Sequence, residues 1–409
     1  MRAHVGCWCR VCSTSWTGPT MKAAVTGPPE RPFAATRRCA EMRLAIVCDG
    51  YWDQLQGGAE YQLWVIGEAL AARGVEVHYV FRDRGTPLAP TPMQLHSLRI
   101  SPLVARLFYP YQPLLAGALQ RALDAIGPDL ILNRVGNALT GLCARYGLRR
   151  RVPVVWHVAH LADLLPFEPP RNRTLPMAWW NRRLLEYGIR HATAVVAQAR
   201  YQADELERRW SRTADLVFPN VHPVPPAPQK AASPVRVLWV ANVKPMKQPF
   251  AFLDLAEAFS DREEVVFTLI GRPENPRYQE RFEARLRTLP RVRYLGEQPI
   301  ERVNEEMARA HVFVNTSRLE GFPNSFIQAW LREVPVVSLS VDPDDVLVRQ
   351  RIGMHSRTPG RLVEDTARLV EDAALREEMG RRARAYAIEA HGLERHIGAL
   401  QRLFEDLVR

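Results

Sequence analysis

For a chain of 409 residues that is 47% apolar, this one has no long hydrophobic run: nowhere do the roughly 20 successive apolar residues of a membrane-spanning helix occur. The reading excludes a helical integral membrane protein. The first 41 residues also lack the roughly 7–15-residue apolar segment of a secretory signal, because Trp8, Arg10, Thr17 and Lys22 interrupt it. Cysteine is scarce where it would matter. Cys7, Cys9, Cys12 and Cys39 lie in that leader, which leaves Cys48 and Cys143 for the rest of the chain. No disulfide framework can be built from them, and a reducing, cytoplasmic compartment is expected. Cys7-x-Cys9-x-x-Cys12 has no second His/Cys cluster to complete four ligands, so no metal site is read there. Acidic charge is short as well. The net charge is +11, carried mostly by the first half: residues 43–229 hold 21 basic and 15 acidic residues, residues 230–409 hold 28 and 27. The imbalance suits an anionic partner such as a membrane surface or a phosphorylated acceptor. Nothing resembles a nucleic-acid recognition motif, and no nucleic-acid partner is expected.

What is present is alternation. Residues 1–41 show no strand or helix period and read as a disordered leader or upstream extension, with Met42 as the working start. From there, apolar strand-like runs at 44–49, 75–81, 129–133, 152–157, 193–197 and 216–219 are separated by amphipathic stretches such as 59–73, 175–191 and 200–210. Such alternation predicts a doubly wound parallel sheet. Residues 221–234 hold five prolines in fourteen positions and read as a linker. The pattern then restarts, with strands at 235–241, 265–270, 292–295, 311–316 and 334–339 and helices at 250–259, 276–289, 300–309 and 324–332. Helices at 360–387 and 391–409 close the chain. The expectation is an α/β protein of two Rossmann-like doubly wound domains, 42–220 and 235–387, facing each other across a cleft, with a C-terminal helix over 388–409. Ligands of open α/β sheets sit outside the carboxyl ends of the strands.

The most informative stretch runs from Asn315 to Trp330, where an apolar strand ends, Glu320-Gly321-Phe322-Pro323 turns, and a helix opens at Asn324. A helix start presents unpaired N–H groups and partial positive charge to a diphosphate, with Asn324 or Ser325 also able to cap it. Gln328 follows one turn later. After the strand at 235–241 comes Asn242-Val243-Lys244-Pro245-Met246-Lys247-Gln248, whose lysines suit a phosphate. Gln56-Gly57-Gly58-Ala59-Glu60 follows the first strand, where glycines permit close backbone approach to a ligand. Trp156-His157-Val158-Ala159-His160 ends another strand and is expected to face the cleft.

These segments resemble the retaining glycosyltransferases of the large family-four group, whose second domain carries Glu, seven residues, Glu, and G-R-L-x-x-x-K-G. The resemblance implies the GT-B fold and transfer of a sugar from a nucleotide-diphosphate donor to an acceptor hydroxyl. It places the family's first Glu on Glu320, toward the donor sugar, and its ribose-binding Glu on Gln328, a departure. The phosphate lysine falls on Lys247 and the family's arginine on Asn242, with Lys244 nearby to supply charge. Gly57-Gly58-Ala59-Glu60 looks like the family's G-G-A/V-E, Pro219-Asn220-Val221 like its P-N-G-V, and His157 stands where a His lies beside the donor sugar. The implied site is thus Glu320, Lys247 and His157 for catalysis, with Gly57, Gly58, Asn242, Lys244, Gly321, Phe322, Asn324, Ser325 and Gln328 around the donor. Pro323 has no N–H to give a phosphate.

Asp342-Pro343-Asp344 spells a D-x-D but follows the wrong strand for a metal site and reads as a turn. Neither a metal nor a cofactor beyond the nucleotide sugar is expected. The acceptor is expected to be a glycan or a lipid-linked one. Trp179, Trp180, Arg182 and Arg183 mix aromatic and cationic residues as peripheral contacts with the inner face of a membrane do. The same residues also suit a helix buried against the first sheet, and 103–123 belongs to the same question. Two other functions fit the fold: a sugar-nucleotide epimerase, and a non-catalytic partner subunit consistent with Gln328 and Asn242.

Overall fold

The structure, a computed structural model, describes residues 42–55, 57–98, 112–165 and 175–409. The leader, Gln56 and the stretches 99–111 and 166–174 lie outside them. Strand β1 (Arg43–Val47) pairs in parallel with β2 (Glu76–Arg82) on one side and β4 (Leu130–Arg134) on the other. With β3 (Gln94–Leu98), β5 (Val154–His157), β6 (Ala194–Ala197) and β7 (Leu216–Val217) they form a sheet ordered β3-β2-β1-β4-β5-β6-β7. Leu44, Ala45, Ile46 and Val47 are all fully buried, as expected of a central parallel strand covered on both faces. The covering helices are α1 (Gly58–Ala72), α2 (Ala116–Ile126), α3 (Ala138–Arg150), α4 (Leu175–His191) and α5 (Arg200–Trp210). Helices α3 and α4 cross so closely that a Cβ at Gly141 would stand 2.1 Å from the Leu184 carbonyl oxygen.

The second sheet, also parallel, is ordered β10-β9-β8-β11-β12-β13. Its strands are β8 (Val235–Val240), β9 (Val265–Ile270), β10 (Arg293–Tyr294), β11 (Val312–Asn315), β12 (Val336–Ser338) and β13 (Gly353–His355). The helices following them are α6 (Pro249–Glu257), α7 (Pro276–Leu286), α8 (Ile300–Arg309), α9 (Asn324–Trp330), α10 (Val346–Arg349) and α11 (Pro359–Glu371). Chain order reverses between β1 and β4 and again between β8 and β11. These two switch points place the loops after β1, β8 and β11 at the crevice where ligands of such sheets bind.

Strands β3 and β13, not anticipated above, are short edge strands. Gln94 and Ser97 are exposed in the first, and the second is three residues long, so neither shows the apolar run that marks a central strand. The single helix expected over 360–387 is two, α11 and α12 (Ala373–His391), divided at Asp372, whose carboxylate accepts from the Leu375 N–H (2.8 Å). The Pro-rich stretch expected as a free linker begins as packed backbone. Val221 and His222 are buried, and His222 exchanges backbone hydrogen bonds with His391 (2.9 Å) and Leu393 (3.1 Å). This seam guides the last helix, α13 (Leu393–Val408), back across the first domain. Its Ile397, Leu400 and Phe404 are fully enclosed in the same apolar cluster as Leu44 and Ile46.

That crossing makes a prediction. Phe404→Ala, which removes a buried aromatic ring, should destabilise the protein by about 3–5 kcal/mol and lower its thermal midpoint by circular dichroism. An unchanged midpoint would show that α13 adds nothing to the first domain's core.

Candidate functional site

Two loops of the second domain are tied together before any ligand is considered. The Thr316 hydroxyl, at the end of β11, donates to the Lys247 carbonyl (2.7 Å) and accepts from the Trp239 indole on β8 (2.9 Å). The Arg318 N–H donates to the Met246 carbonyl (3.0 Å). Between these ties, Pro245–Lys247 forms a single 3-10 turn. The consequence is that the Lys247 ammonium touches the Glu320 carboxylate in an ion pair that is mostly shielded from solvent. Lys244 stands half-buried at the start of that turn, and Asn242 is exposed.

Asn324, which the sequence also offered as a helix cap, does not cap. Helix α9 has no side-chain cap, and the Asn324 carboxamide crosses to the first domain. Its Oδ1 accepts from Gln62 Nε2 (2.9 Å) and lies 3.1 Å from His222 Nε2, while its Nδ2 donates to the Gly58 carbonyl (3.0 Å). A Cβ at Gly58 would stand 2.8 Å from Asn324 Nδ2, so a larger residue there would push that carboxamide aside. Gly321 makes the matching approach, where a Cβ would come within 2.8 Å of the Ala159 carbonyl oxygen. Gly57 is closed on its other side by the Glu60 carboxylate. Phe322 is buried between Trp330 and His391, and its carbonyl accepts from Asn220 Nδ2 (2.8 Å). Ser325 is half-buried, and Gln328 is buried one turn into α9.

The expectation that His157 faces the cleft is corrected. Its side chain is fully enclosed, at the end of β5, and its Nδ1 receives a hydrogen bond from Arg134 Nη1 (2.9 Å). A guanidinium has no acceptor, so this ring nitrogen carries the lone pair. Burial, then the Arg134 charge, hold the imidazole well below its usual pKa. Arg134 Nη2 donates to Asn220 Oδ1 (2.6 Å), which completes a buried chain from His157 through Arg134 and Asn220 to the Phe322 carbonyl. Arg134 and Asn220 drew no site assignment from the sequence. The available signal was an arginine and an asparagine closing a strand that opens on Leu130-Ile131-Leu132. His160 is a local device: its Nδ1 accepts from the Ala162 N–H (3.0 Å) in a capping box with Asp163.

Asp342 and Asp344 form a turn, as read from the sequence. Asp342 caps α10 through the Leu347 N–H (2.8 Å). Asp344 reaches across the cleft and accepts from the Arg200 and Tyr201 N–H groups (3.3 and 3.2 Å) that open α5. No group of three or more His, Cys, Asp or Glu side chains that could hold a metal occurs among the described residues.

On α4, Trp179 and Trp180 are 43% and 52% exposed. Arg183 lies over the Trp179 ring at 5.2 Å. Arg182 is turned inward instead, 10% exposed, donating to the Leu165 carbonyl (2.7 Å) and stacking on Trp210 at 5.7 Å. The aromatic residues Phe108 and Tyr109 of 103–123 lie outside the described residues. No helix among those described is long and apolar enough to cross a membrane.

Two doubly wound parallel sheets meeting at their carboxyl ends, with a chain that crosses back at its terminus, define the GT-B fold. Solved structures share it over nearly the whole chain. Sucrose-phosphate synthase from Thermosynechococcus elongatus matches with a TM-score of 0.70 at 19% identity, covering 90% of this chain and 99% of its own. The Anabaena protein HepE in complex with UDP-glucose matches at 0.67 and 17% identity, over 89% and 98%. WaaG, a glycosyltransferase involved in lipopolysaccharide biosynthesis, matches at 0.68 and 14%, over 88% and 99%. The family model for Glycosyltransferase Family 4 matches residues 56–219, and that for Glycosyl transferases group 1 matches residues 234–372. With one model on each domain, the chain belongs to the family-four type of glycosyltransferases.

Four buried histidines set a pH dependence. Burial pushes His222 down to about 3 and His311 and His391 to about 4, with His157 also well below its usual value. The folded protein keeps these rings neutral while the unfolded chain protonates them below about pH 6.5, so their contribution is complete above that pH and fades as the pH falls toward 4. The slope is roughly 1.4 kcal/mol per pH unit for each ring. Denaturant titrations from pH 7 to 4.5 should show this loss, and His391→Phe should reduce the slope by one ring's share; a wild-type stability independent of pH would contradict the burial.

Proposed function

We propose that the chain moves a hexosyl group from a uridine-type nucleotide-diphosphate sugar to the hydroxyl of a glycan or lipid-linked acceptor, with retention at the anomeric carbon. The contact between Lys247 and Glu320 carries this reading. Residues 73 positions apart are brought together at the crevice by the loops that follow β8 and β11. One is a cation suited to a diphosphate and the other a carboxylate suited to sugar hydroxyls. A donor bound there would exchange their mutual pairing for phosphate on Lys247 and hydroxyls on Glu320. The anomeric carbon–phosphate oxygen bond breaks as the bond to the acceptor oxygen forms on the same face, and the acceptor proton passes to the departing diphosphate. Lys247, helped by Lys244, offsets the charge that develops on that diphosphate. HepE, which shares the fold, is described in complexes with UDP, with UDP and glucose, and with UDP-glucose. On this reading the donor requires no metal.

UDP-glucose should raise the thermal midpoint of the wild type, and Lys247→Ala and Glu320→Ala should each reduce transfer by about 100-fold or more. The product's anomeric proton coupling in NMR reads retention. No binding of any nucleotide sugar would remove the donor site and favour the partner-subunit reading that Gln328 and Asn242 suggest, while release of free or altered sugar nucleotide without an acceptor would favour the epimerase.

The exposed Trp179–Trp180 pair with Arg183 beside it supports a peripheral contact with the inner leaflet. Wild-type protein is expected to co-sediment with vesicles containing anionic phospholipid, and the Trp179→Ala/Trp180→Ala double variant to lose most of that binding with its circular dichroism unchanged. Absence of wild-type co-sedimentation would end this proposal.

A further inference from the structure

Helix α5 begins without a cap of its own. Its N-cap position is Ala199, in extended backbone, with no side-chain acceptor for the first N–H groups of the helix. The missing acceptor comes from the other domain. Both oxygens of the Asp344 carboxylate are used, one accepting from the Arg200 N–H (3.3 Å) and the other from the Tyr201 N–H (3.2 Å), across 144 and 143 positions of sequence.

The turn that presents Asp344 is strained. Asp344 and Asp345 follow each other at φ 54° and 53°, a left-handed conformation that residues with a Cβ avoid and that aspartate tolerates better than most. Two such residues in succession need support, and the turn has it. The Asp345 N–H donates to the Asp342 carbonyl (3.2 Å), and the Arg349 guanidinium donates to the Asp344 carbonyl (3.3 Å). Asp342 itself caps a helix of its own domain, whereas Asp344 is turned toward the first domain.

The location gives this contact a consequence. Arg200 and Tyr201 on one side and Pro343 to Asp345 on the other line an open cavity of about 950 Å³ between the domains, which Glu320 and Gly321 also line. A bond between the two walls fixes their spacing. The other ties across the boundary at the Glu320 loop join neutral amide and carbonyl groups. Asp344 instead sets a carboxylate against the partly positive end of α5, and charge-assisted bonds of this kind are the stronger ones.

We propose that Asp344 is a positioning residue for transfer, a clasp that holds the two domains at their present spacing by capping α5 from the opposite side. It acts through the distance between the first domain and the loop that carries Glu320. Its effect on rate rests on the transferase reading; its effect on domain spacing does not.

A residue that merely stabilised α5 would be replaceable by a cap within the first domain, and the test uses this. Wild type is compared with Asp344→Asn, Asp344→Ala and the double variant Asp344→Ala/Ala199→Ser, in which a hydroxyl caps α5 locally. Asp344→Ala is expected to raise the radius of gyration in small-angle X-ray scattering and to speed amide exchange at Arg200 and Tyr201 roughly tenfold. It should also lower kcat/KM for UDP-glucose about tenfold, with Asp344→Asn, which keeps one acceptor oxygen, recovering part of the loss. Adding Ala199→Ser should restore slow exchange while the radius and kcat/KM stay at the values of the single variant. If Asp344→Ala leaves the radius and kcat/KM unchanged, or if Ala199→Ser restores both, Asp344 is a helix cap alone and the proposal fails. A wild type that transfers no sugar would remove the transferase reading, and the radius of gyration would then decide on the clasp by itself.

Discussion

The loop from Thr316 to Asn324 is the element on which the site depends, because it is held from both sides at once. On its own domain, Thr316 and Arg318 fasten it to the turn that carries Lys247. From the other domain, Asn220 holds the Phe322 carbonyl, Gln62 and Gly58 hold the Asn324 carboxamide, and Ala159 lies against Gly321. A loop with so many backbone and amide partners cannot drift, and Glu320 is delivered to one place.

The same cross-domain bonds explain where the chain spends polar side chains in buried positions. Arg134, His157, Asn220 and His391 would be costly in an apolar interior if any were left alone. They are tolerated because each is bonded to another or to backbone, and the chain of contacts ends at the donor-side loop. Burial pushes the Arg134 guanidinium down to about 10, which still leaves it charged at neutral pH, and this charge adds to burial in keeping His157 neutral. Asp344, capping α5 from the opposite domain, adds a further tie near the mouth of the cavity. Asn324 and Gly58 meet across the domain boundary, whereas Lys247 and Glu320 pair within the second domain, so the loop carries one tie of each kind.

Family membership brings the fold and the class of chemistry together, while the particular donor and acceptor depend on side chains at the crevice. Gln328 stands where the resemblance puts a carboxylate and Asn242 where it puts an arginine; the first is buried and the second exposed. Lys247 and Glu320 match it.

The order of strands and helices was legible because parallel strands buried on both faces read as near-continuous apolar runs, as 44–47, 265–267 and 312–314 are, and because helices such as α8 keep an apolar stripe. The pairing of Lys247 with Glu320 was legible only as two motifs; that they touch was decided by the β8–β11 neighbourhood. Three features were beyond the sequence. His157 looked like a cleft residue, and only tertiary structure set Arg134 against it. Asn324 looked like a cap, until Gly58 proved close enough to claim its carboxamide. The helix at 393–408 gave no sign that it covers the first domain. In each case periodicity records what one element does to its own solvent exposure, whereas the partner across a domain boundary is chosen by how two separately folded sheets meet.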